Sequence, residues 1–295
     1  MKNMMIFTPL CLTLCWMLSV DSMRIRHSPG FPLNMANDSV DDMYDGCDDT
    51  ASMDWRKKQY SKELTSGVYA RPWKNATTCA NEKFNIRSRE DMNLTKDHMQ
   101  AICVYTHFDV YSKFNEAVRG QKKKYTKSFQ YHILHLLLTT AIKILNPNHR
   151  CHTTYRRSRD AFTGTVNQTI RFGSFASSSY MTNLTRFGNK TCFKINTCYG
   201  GYLKNYSYYN DEQEVLIPPY EKFTIKDQVK PEGEMKGLEY CKILYVLESA
   251  GIENNLNCKL GLVQQVKKTL QLGLQRLKSR FTKAKIISSA NNEKK

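Results

Sequence analysis

Glu212 and Glu214 stand two positions apart in the run Asp211-Glu212-Gln213-Glu214-Val215-Leu216-Ile217-Pro218-Pro219. If the run opens a strand, alternation turns both carboxylates to one face. Two like charges so placed repel, an arrangement suited to holding a cation or a developing positive charge. Taken alone, the same residues read first as a solvated acidic turn ahead of a buried strand, so the neighbours must decide. His132 and His135 are a second candidate pair, on one face of an apolar segment. With no Glu-x-x-His partner they read as core packing or capping of polar groups, and no metal is expected. No Cys-x-x-Cys occurs after the leader, which argues against a zinc ribbon or a thioredoxin-type redox site.

The chain that must position such residues is 295 long and opens like a secretory leader. Lys2 supplies the positive end, Met5 to Val20 the apolar run, and Val20-Asp21-Ser22 a small-residue cleavage site, so residues 1–22 are expected to be removed. The apolar run is short for a membrane span. Eight cysteines remain, namely Cys47, Cys79, Cys103, Cys151, Cys192, Cys198, Cys241 and Cys258, and disulfides are their expected use in an oxidising compartment. Asn-x-Ser/Thr sequons at Asn37, Asn75, Asn93, Asn167, Asn183, Asn189 and Asn205 agree with passage through the secretory pathway.

The net charge is +17, and more than half of it lies in residues 259–295. Val263, Val266, Leu270, Leu274, Leu277 and Phe281 recur there at helical spacing between basic residues. This reads as a basic amphipathic helix, packed on the domain or lying on an anionic membrane or glycosaminoglycan. Charge of this kind attracts anionic partners in general, but no nucleic-acid partner is expected. The C-terminal residues lack the apolar tail of a lipid-anchor signal, so secretion in soluble form is the expectation.

Little regular structure is expected from Met23 to about Pro72. Thr95 can cap a helix running to Tyr105, Asp109 a second stopped by Gly120, and Ser128 a strongly apolar one ended by Asn146-Pro147. After Cys151 the segments are short and rich in Thr, Tyr, Phe, Val and Ile. Candidate strands are Thr153 to Arg157, Thr169 to Phe172, Thr191 to Ile195, Glu214 to Ile217, Glu221 to Ile225 and Cys241 to Glu248. Helices first and strands afterwards predict an α+β fold. The expected organisation is a domain over 23–258, mainly helical to 150 and β-rich from 151, with 259–295 as a basic tail.

Three elements occur in order: Thr154-Tyr155-Arg156-Arg157, then Arg171 to Ser179, then Glu212-Gln213-Glu214 with its Val-Leu-Ile-Pro-Pro extension. Together they resemble the Arg, Ser, Glu-x-Glu signature of the vertebrate arginine-specific mono-ADP-ribosyltransferases. Likeness continues through Asp41 to Cys47, Ala101 with Tyr105-Thr106, Arg186-Phe187-Gly188-Asn189 and Thr197-Cys198-Tyr199-Gly200. The resemblance implies a helical N-terminal portion packed on a β-sandwich core, with an NAD cleft and NAD as substrate. Arg156 would brace the dinucleotide near its phosphates, with Tyr155 beside it. Ser177 would orient the catalytic glutamate, and Phe187 would pack near the nicotinamide. Glu214 would hold the ribose and stabilise positive charge as the nicotinamide bond breaks, with inversion at the anomeric carbon. Glu212 would receive the guanidinium of an arginine-bearing protein acceptor.

The chain departs from this family at two points near the signature. Arg157 stands where many members carry glycine, and Thr154 where valine is usual. By resemblance Cys47 would pair with Cys258 and Cys151 with Cys198, while Cys79, Cys103, Cys192 and Cys241 are extra. The expected activity is transfer of ADP-ribose to arginine. The alternatives are an enzyme that mainly hydrolyses NAD, and a secreted binding protein that acts through its basic tail without catalysis.

Overall fold

The computed structural model describes residues 30–231, 236–256 and 258. After a two-residue strand, β1 (Phe31–Pro32), the chain is helical: α1 (Thr50–Gln59), α2 (Ser61–Thr65), α3 (Ala70–Asn75), α4 (Thr77–Asn85), α5 (Lys96–Thr106), α6 (Phe108–Gly120) and α7 (His132–Leu145). The strands follow: β2 (His152–Ser158), β3 (Phe162–Thr163), β4 (Thr169–Arg171), β5 (Ala176–Ser179), β6 (Thr191–Thr197), β7 (Gly201–Tyr202), β8 (Glu214–Ile217), β9 (Glu221–Val229) and β10 (Leu244–Ile252). This is the α+β order that the sequence predicts. The leader at 1–22 and the amphipathic helix expected beyond Cys258 lie outside the described residues.

Irregular chain is expected as far as Pro72, yet α1, α2 and the start of α3 occupy that stretch. The reason is tertiary. α1 is polar along most of its length and offers no apolar stripe to read. Asp49 caps it by accepting from the Ser52 amide at 3.0 Å, and its Arg56 donates to the Cys258 carbonyl at 2.9 Å. Short helices of this kind are held by packing rather than by propensity. Thr95 caps α5 as expected, and His98 Nδ1 returns the bond by accepting from the Thr95 amide at 2.9 Å. Such a reciprocal cap contributes about 1 kcal/mol.

Two helix starts differ from the sequence reading. α6 begins at Phe108 with His107 at its cap position, two residues ahead of the expected cap at Asp109. α7 begins at His132 instead of after Ser128, because its cap comes from another helix. Glu63 of α2 accepts from the amides of His132 at 3.2 Å and Ile133 at 3.0 Å, and faces His132 Nδ1 at 2.7 Å. His135 is bonded to the Tyr44 hydroxyl and the Val40 carbonyl, both at 2.9 Å. Both histidines therefore serve the core, as the bland reading of them held.

Eight strands run in the order β4-β9-β10-β6-β2-β5-β8-β7, antiparallel except for β10 beside β6. The β2–β5 junction is narrow, with the register pair Tyr155 and Ser179 joining the two halves. Both halves contribute to one apolar cluster, which includes Phe193, Ile195, Phe223, Ile225 and Leu247 from one side and Ala176 and Ile217 from the other. The helices pack on the smaller half, where Phe175, Leu203 and Leu216 join a cluster with Ile102, Phe114, Leu134 and Leu138. β8 is buried along its whole length and alternates between these cores, Leu216 to the helices and Ile217 to the sheet. A strand with apolar layers on both sides holds whatever starts it in a fixed place.

The disulfides are Cys47–Cys258 and Cys151–Cys198, the pairs that the resemblance implies, and Cys79–Cys103 and Cys192–Cys241, which use the four extra cysteines. On the chain-entropy account the first, 211 residues apart, contributes about 5 kcal/mol, and Cys79–Cys103, 24 apart, about 3. Cys241 is held to β6 in this way, and β10 starts only at Leu244, three residues after the expected Cys241 start.

Candidate active site

A cleft of about 750 Å³ opens where β2, β5 and the start of β8 meet. Tyr155, Arg156, Ser177, Phe187, Glu212 and Glu214 all line it, so the residues singled out in the sequence come together in space. They do so by different routes.

β5 and β8 are antiparallel, with Ser179 opposite Glu214 and Ser177 opposite Leu216. Ser177 is thus the diagonal neighbour of Glu214 on the same face, within reach of its side chain. The adjacent serines are engaged elsewhere: Ser178 Oγ donates to the Val215 carbonyl at 2.9 Å and Ser179 Oγ to the Glu212 carbonyl at 2.5 Å. Arg156 on β2 reaches across the junction, its Nη1 donating to the Ser177 carbonyl at 2.6 Å and its Nη2 meeting the Tyr111 hydroxyl at 3.5 Å. Burial works against its charge, but Tyr111, Tyr105 and Glu214 around it hold its pKa above the ordinary value.

Glu214 is 4% exposed, and its Oε2 accepts from the Ser207 hydroxyl at 2.9 Å. Burial raises its pKa and the charge of Glu212 adds to the rise, while hydrogen bonds from Ser177 and Ser207 and the charge of Arg156 oppose it. A buried carboxylate so supplied with donors and one cation is oriented, with its pKa above the ordinary carboxylate value.

Glu212 reaches the cleft differently from the sequence reading. It ends a 3₁₀ turn, Asn210–Glu212, and Gln213 takes a left-handed conformation (φ 44°) before β8 begins at Glu214. The two carboxylates are therefore not alternate residues of one strand. A left-handed non-glycine residue is strained by about 1–2 kcal/mol, and strain of this sort persists only where surroundings fix it. They do so here. Lys83 of α4 donates to Asn210 Oδ1 at 2.6 Å, the Tyr208 amide to Thr106 Oγ1 of α5 at 2.9 Å, and the Tyr206 hydroxyl to Asp91 at 2.7 Å. The helices thereby hold the turn that carries Glu212. Its Oε1 faces Arg186 Nη2 at 2.6 Å.

Phe187 closes another 3₁₀ turn, Thr185–Phe187, and is 41% exposed, so it is not a core residue. The Arg186 guanidinium lies 4.9 Å from its ring. Tyr155 borders the cleft while its ring packs on the cluster of Cys192, Leu238, Cys241 and Leu244. Sequence reasoning gave no role to Ser207, Tyr111, Tyr105 or Arg186. Ser207 lies in Tyr206-Ser207-Tyr208-Tyr209, a stretch with no local signal of chemistry, and only the fold turns its hydroxyl to Glu214.

Comparison with known proteins follows the same lines. The family model described as NAD:arginine ADP-ribosyltransferase matches residues 33–236. Ecto-ADP-ribosyltransferase 4 of Mus musculus is 34% identical over 243 residues, covering 77% of this chain and 76% of that protein. The GPI-linked NAD(P)(+)–arginine ADP-ribosyltransferase 1 of Oryctolagus cuniculus is 32% identical over 253 residues, with coverage of 77% and 74%. A crystal structure of a mutant of the eucaryotic mono-ADP-ribosyltransferase ART2.2 in complex with NADH superposes with a TM-score of 0.65 at 28% identity, covering 77% of this chain and 98% of that one.

Proposed function

Since the chain belongs to the NAD:arginine ADP-ribosyltransferase family, we propose that the cleft at the β2–β5–β8 junction is where it transfers ADP-ribose from NAD to arginine side chains of proteins. The observation that carries the assignment of the cleft is the convergence of Arg156, Ser177, Glu212 and Glu214 on one cavity large enough for a dinucleotide. Arg156 braces the pyrophosphate side of NAD as a planar, permanently charged donor. Glu214 bonds the nicotinamide ribose and stabilises the oxocarbenium-like charge as the bond from the anomeric carbon to nicotinamide breaks, the electrostatic logic shared with glycosidases. Ser177 and Ser207 aim that carboxylate. Glu212 holds the acceptor guanidinium and takes a proton from it as its nitrogen bonds to the anomeric carbon, while nicotinamide leaves with the bonding pair. Tyr155 and Phe187 flank the dinucleotide.

A second reading, NAD hydrolysis, is favoured by one contact. Glu212 is already ion-paired with Arg186, so water can take the acceptor's place when no guanidine displaces that pair. Purified protein incubated with labelled NAD and agmatine tests both. Label should reach agmatine in the wild type. Glu214→Gln should abolish both transfer and nicotinamide release, and Glu212→Gln should abolish transfer alone. If Glu214→Gln still turns over NAD, the assignment fails.

The catalytic domain is proposed to span residues 23–258. Its four disulfides and its kinship with ecto-enzymes fit an extracellular protein. Among the described residues no helix is long and apolar enough to cross a membrane. Entry into the secretory pathway belongs to the proposal, with the leader-like first residues as its support; detection in culture medium against cell surface separates release from anchoring. The basic residues 259–295 are proposed to hold the enzyme to an anionic membrane or glycosaminoglycan. Truncation after Cys258 should then lower the salt needed for elution from heparin.

A further inference from the structure

Arg157 follows Arg156 on β2, where many members of the family carry glycine. Strand alternation sends its side chain to the other face of β2 from that of Arg156. Cys192 is its partner across the antiparallel β2–β6 pair, so Arg157 and Cys192 leave the sheet on the same side. There Arg157 is 6% exposed and donates to three backbone carbonyls: Thr182 through Nε at 3.0 Å, Gly188 through Nη1 at 3.2 Å, and Gly237 through Nη2. Burial lowers its pKa, with the nearby Glu239 opposing the shift.

Two of these carbonyls belong to the loop from Thr182 to Gly188, whose Leu184, Arg186 and Phe187 line the cleft. The third belongs to the turn that the Cys192–Cys241 disulfide ties to β6. Further contacts join the turn to the loop. The Lys242 amide donates to the Asn189 carbonyl at 2.8 Å. Gly237 sits so close to Thr182, at φ 88°, that a Cβ there would fall on the threonine hydroxyl. A planar guanidinium can span three carbonyls from two segments, whereas an ammonium is a single point donor.

We propose that Arg157 is a positioning residue for the dinucleotide. It locks the Thr182–Gly188 loop against the disulfide-anchored turn, so that the wall carrying Arg186 and Phe187 is formed before NAD arrives. Arg157 itself borders the cleft, but its guanidinium is spent on the three carbonyls, which leaves it a positioning role. The inference rests on the reading that the cleft takes NAD, and it assigns work to both departures from the family pattern on this side of the cleft, the arginine and the extra disulfide. Preformed binding walls lower the ordering cost of association, so the effect belongs in affinity rather than in the chemical step.

The test is nicotinamide release and calorimetric NAD binding by wild type, Arg157→Ala, Arg157→Lys and Gly237→Ala, with thermal melting of each. Arg157→Ala should raise KM and Kd for NAD about fivefold to tenfold with kcat within about twofold, the scale of re-ordering a few loop side chains. Arg157→Lys should restore only part of the affinity. Gly237→Ala lies away from the cleft lining and displaces the loop through Thr182, so it should move KM in the same direction, and it decides the matter if Arg157→Ala does not fold. Folded variants with wild-type KM, or kcat falling at unchanged KM, overturn the inference. Absence of NAD binding and turnover in the wild type itself overturns instead the reading of the cleft.

Discussion

Arg186 and Glu212 form an ion pair inside the cleft, Nη2 to Oε1 at 2.6 Å, with the arginine side chain 49% exposed and the glutamate 15%. The carboxylate proposed to receive an acceptor guanidinium thus already holds one from its own chain.

An ion pair this exposed is worth about 0.2–1 kcal/mol, so an incoming arginine displaces it at small cost. Arg186→Gln should lower KM for agmatine by up to about fivefold, the factor that such an energy allows. Steady-state transfer at saturating NAD checks it; an unchanged or higher acceptor KM would show that Arg186 does not compete for Glu212.

Glu214 must be ionised to stabilise positive charge, and burial raises its pKa above the ordinary value of 4.5. Nicotinamide release should therefore rise with pH along an acid limb lying above the normal carboxylate range. Glu212 adds to that rise and Arg156 opposes it. Glu212→Gln, followed by NAD hydrolysis, should move the limb to lower pH, and Arg156→Gln should move it up. A limb unmoved by both substitutions would mean that another group controls it.

Glu63 joins α2 to the start of α7 through two backbone amides, His132 Nδ1 and the Tyr69 hydroxyl, which donates at 3.1 Å. Glu63→Ala strands these groups in a buried place, a loss of about 3 kcal/mol. A chain of this size should then melt about 5 °C lower. KM for NAD should not change, because no atom of Glu63 lines the cleft. Calorimetry and kinetics on one preparation separate the two effects.

His98 and His135 are buried, and burial lowers both pKa values from 6.5 to about 4. The unfolded chain binds more protons than the folded one between those values, so stability is full above pH 6.5 and is lost as pH falls towards 4. Glu221 acts in the opposite sense, since burial raises its pKa from 4.5 to about 6 and the folded state gains a proton first. Asp42 and Glu214, raised by burial, act with Glu221, and His152, lowered by burial, acts with the two histidines, so the histidine contribution is read by difference. His135→Gln, if it folds, should lose less of its urea midpoint than wild type as pH falls from 6.5 to 4; identical pH dependence in the two proteins would count against the assignment.

Where the sequence was legible, one structural cause ran within a short window. Thr95 opens α5 because cap and helix are neighbours in the chain, and β2, β6 and β8 follow from β-branched and aromatic runs. α1 and α2 were not legible because their partners are Cys258, His132 and Ile133, far along the chain. α7 starts four residues beyond Ser128 for the same reason: its cap is Glu63. The signature residues were singled out by resemblance to the family, but the route to Glu212 was misread. Alternation along one strand was the expectation, whereas a left-handed Gln213 ends a turn there.

The sequence by itself determined the α+β order and the supply of cysteines for an oxidising compartment, because local period and composition are written in the chain; Arg156, Ser177, Glu212 and Glu214 were singled out by resemblance to the family, and the fold brings them to one cleft. Tertiary structure alone decided which serine faces Glu214, that Ser207 joins it, that Arg186 occupies Glu212, and that the guanidinium of Arg157, at the border of the cleft, is spent on three carbonyls of its wall. Each of these depends on strand register, or on a hydrogen bond between segments far apart in sequence. Contacts of that kind exist only once both cores have closed around β8.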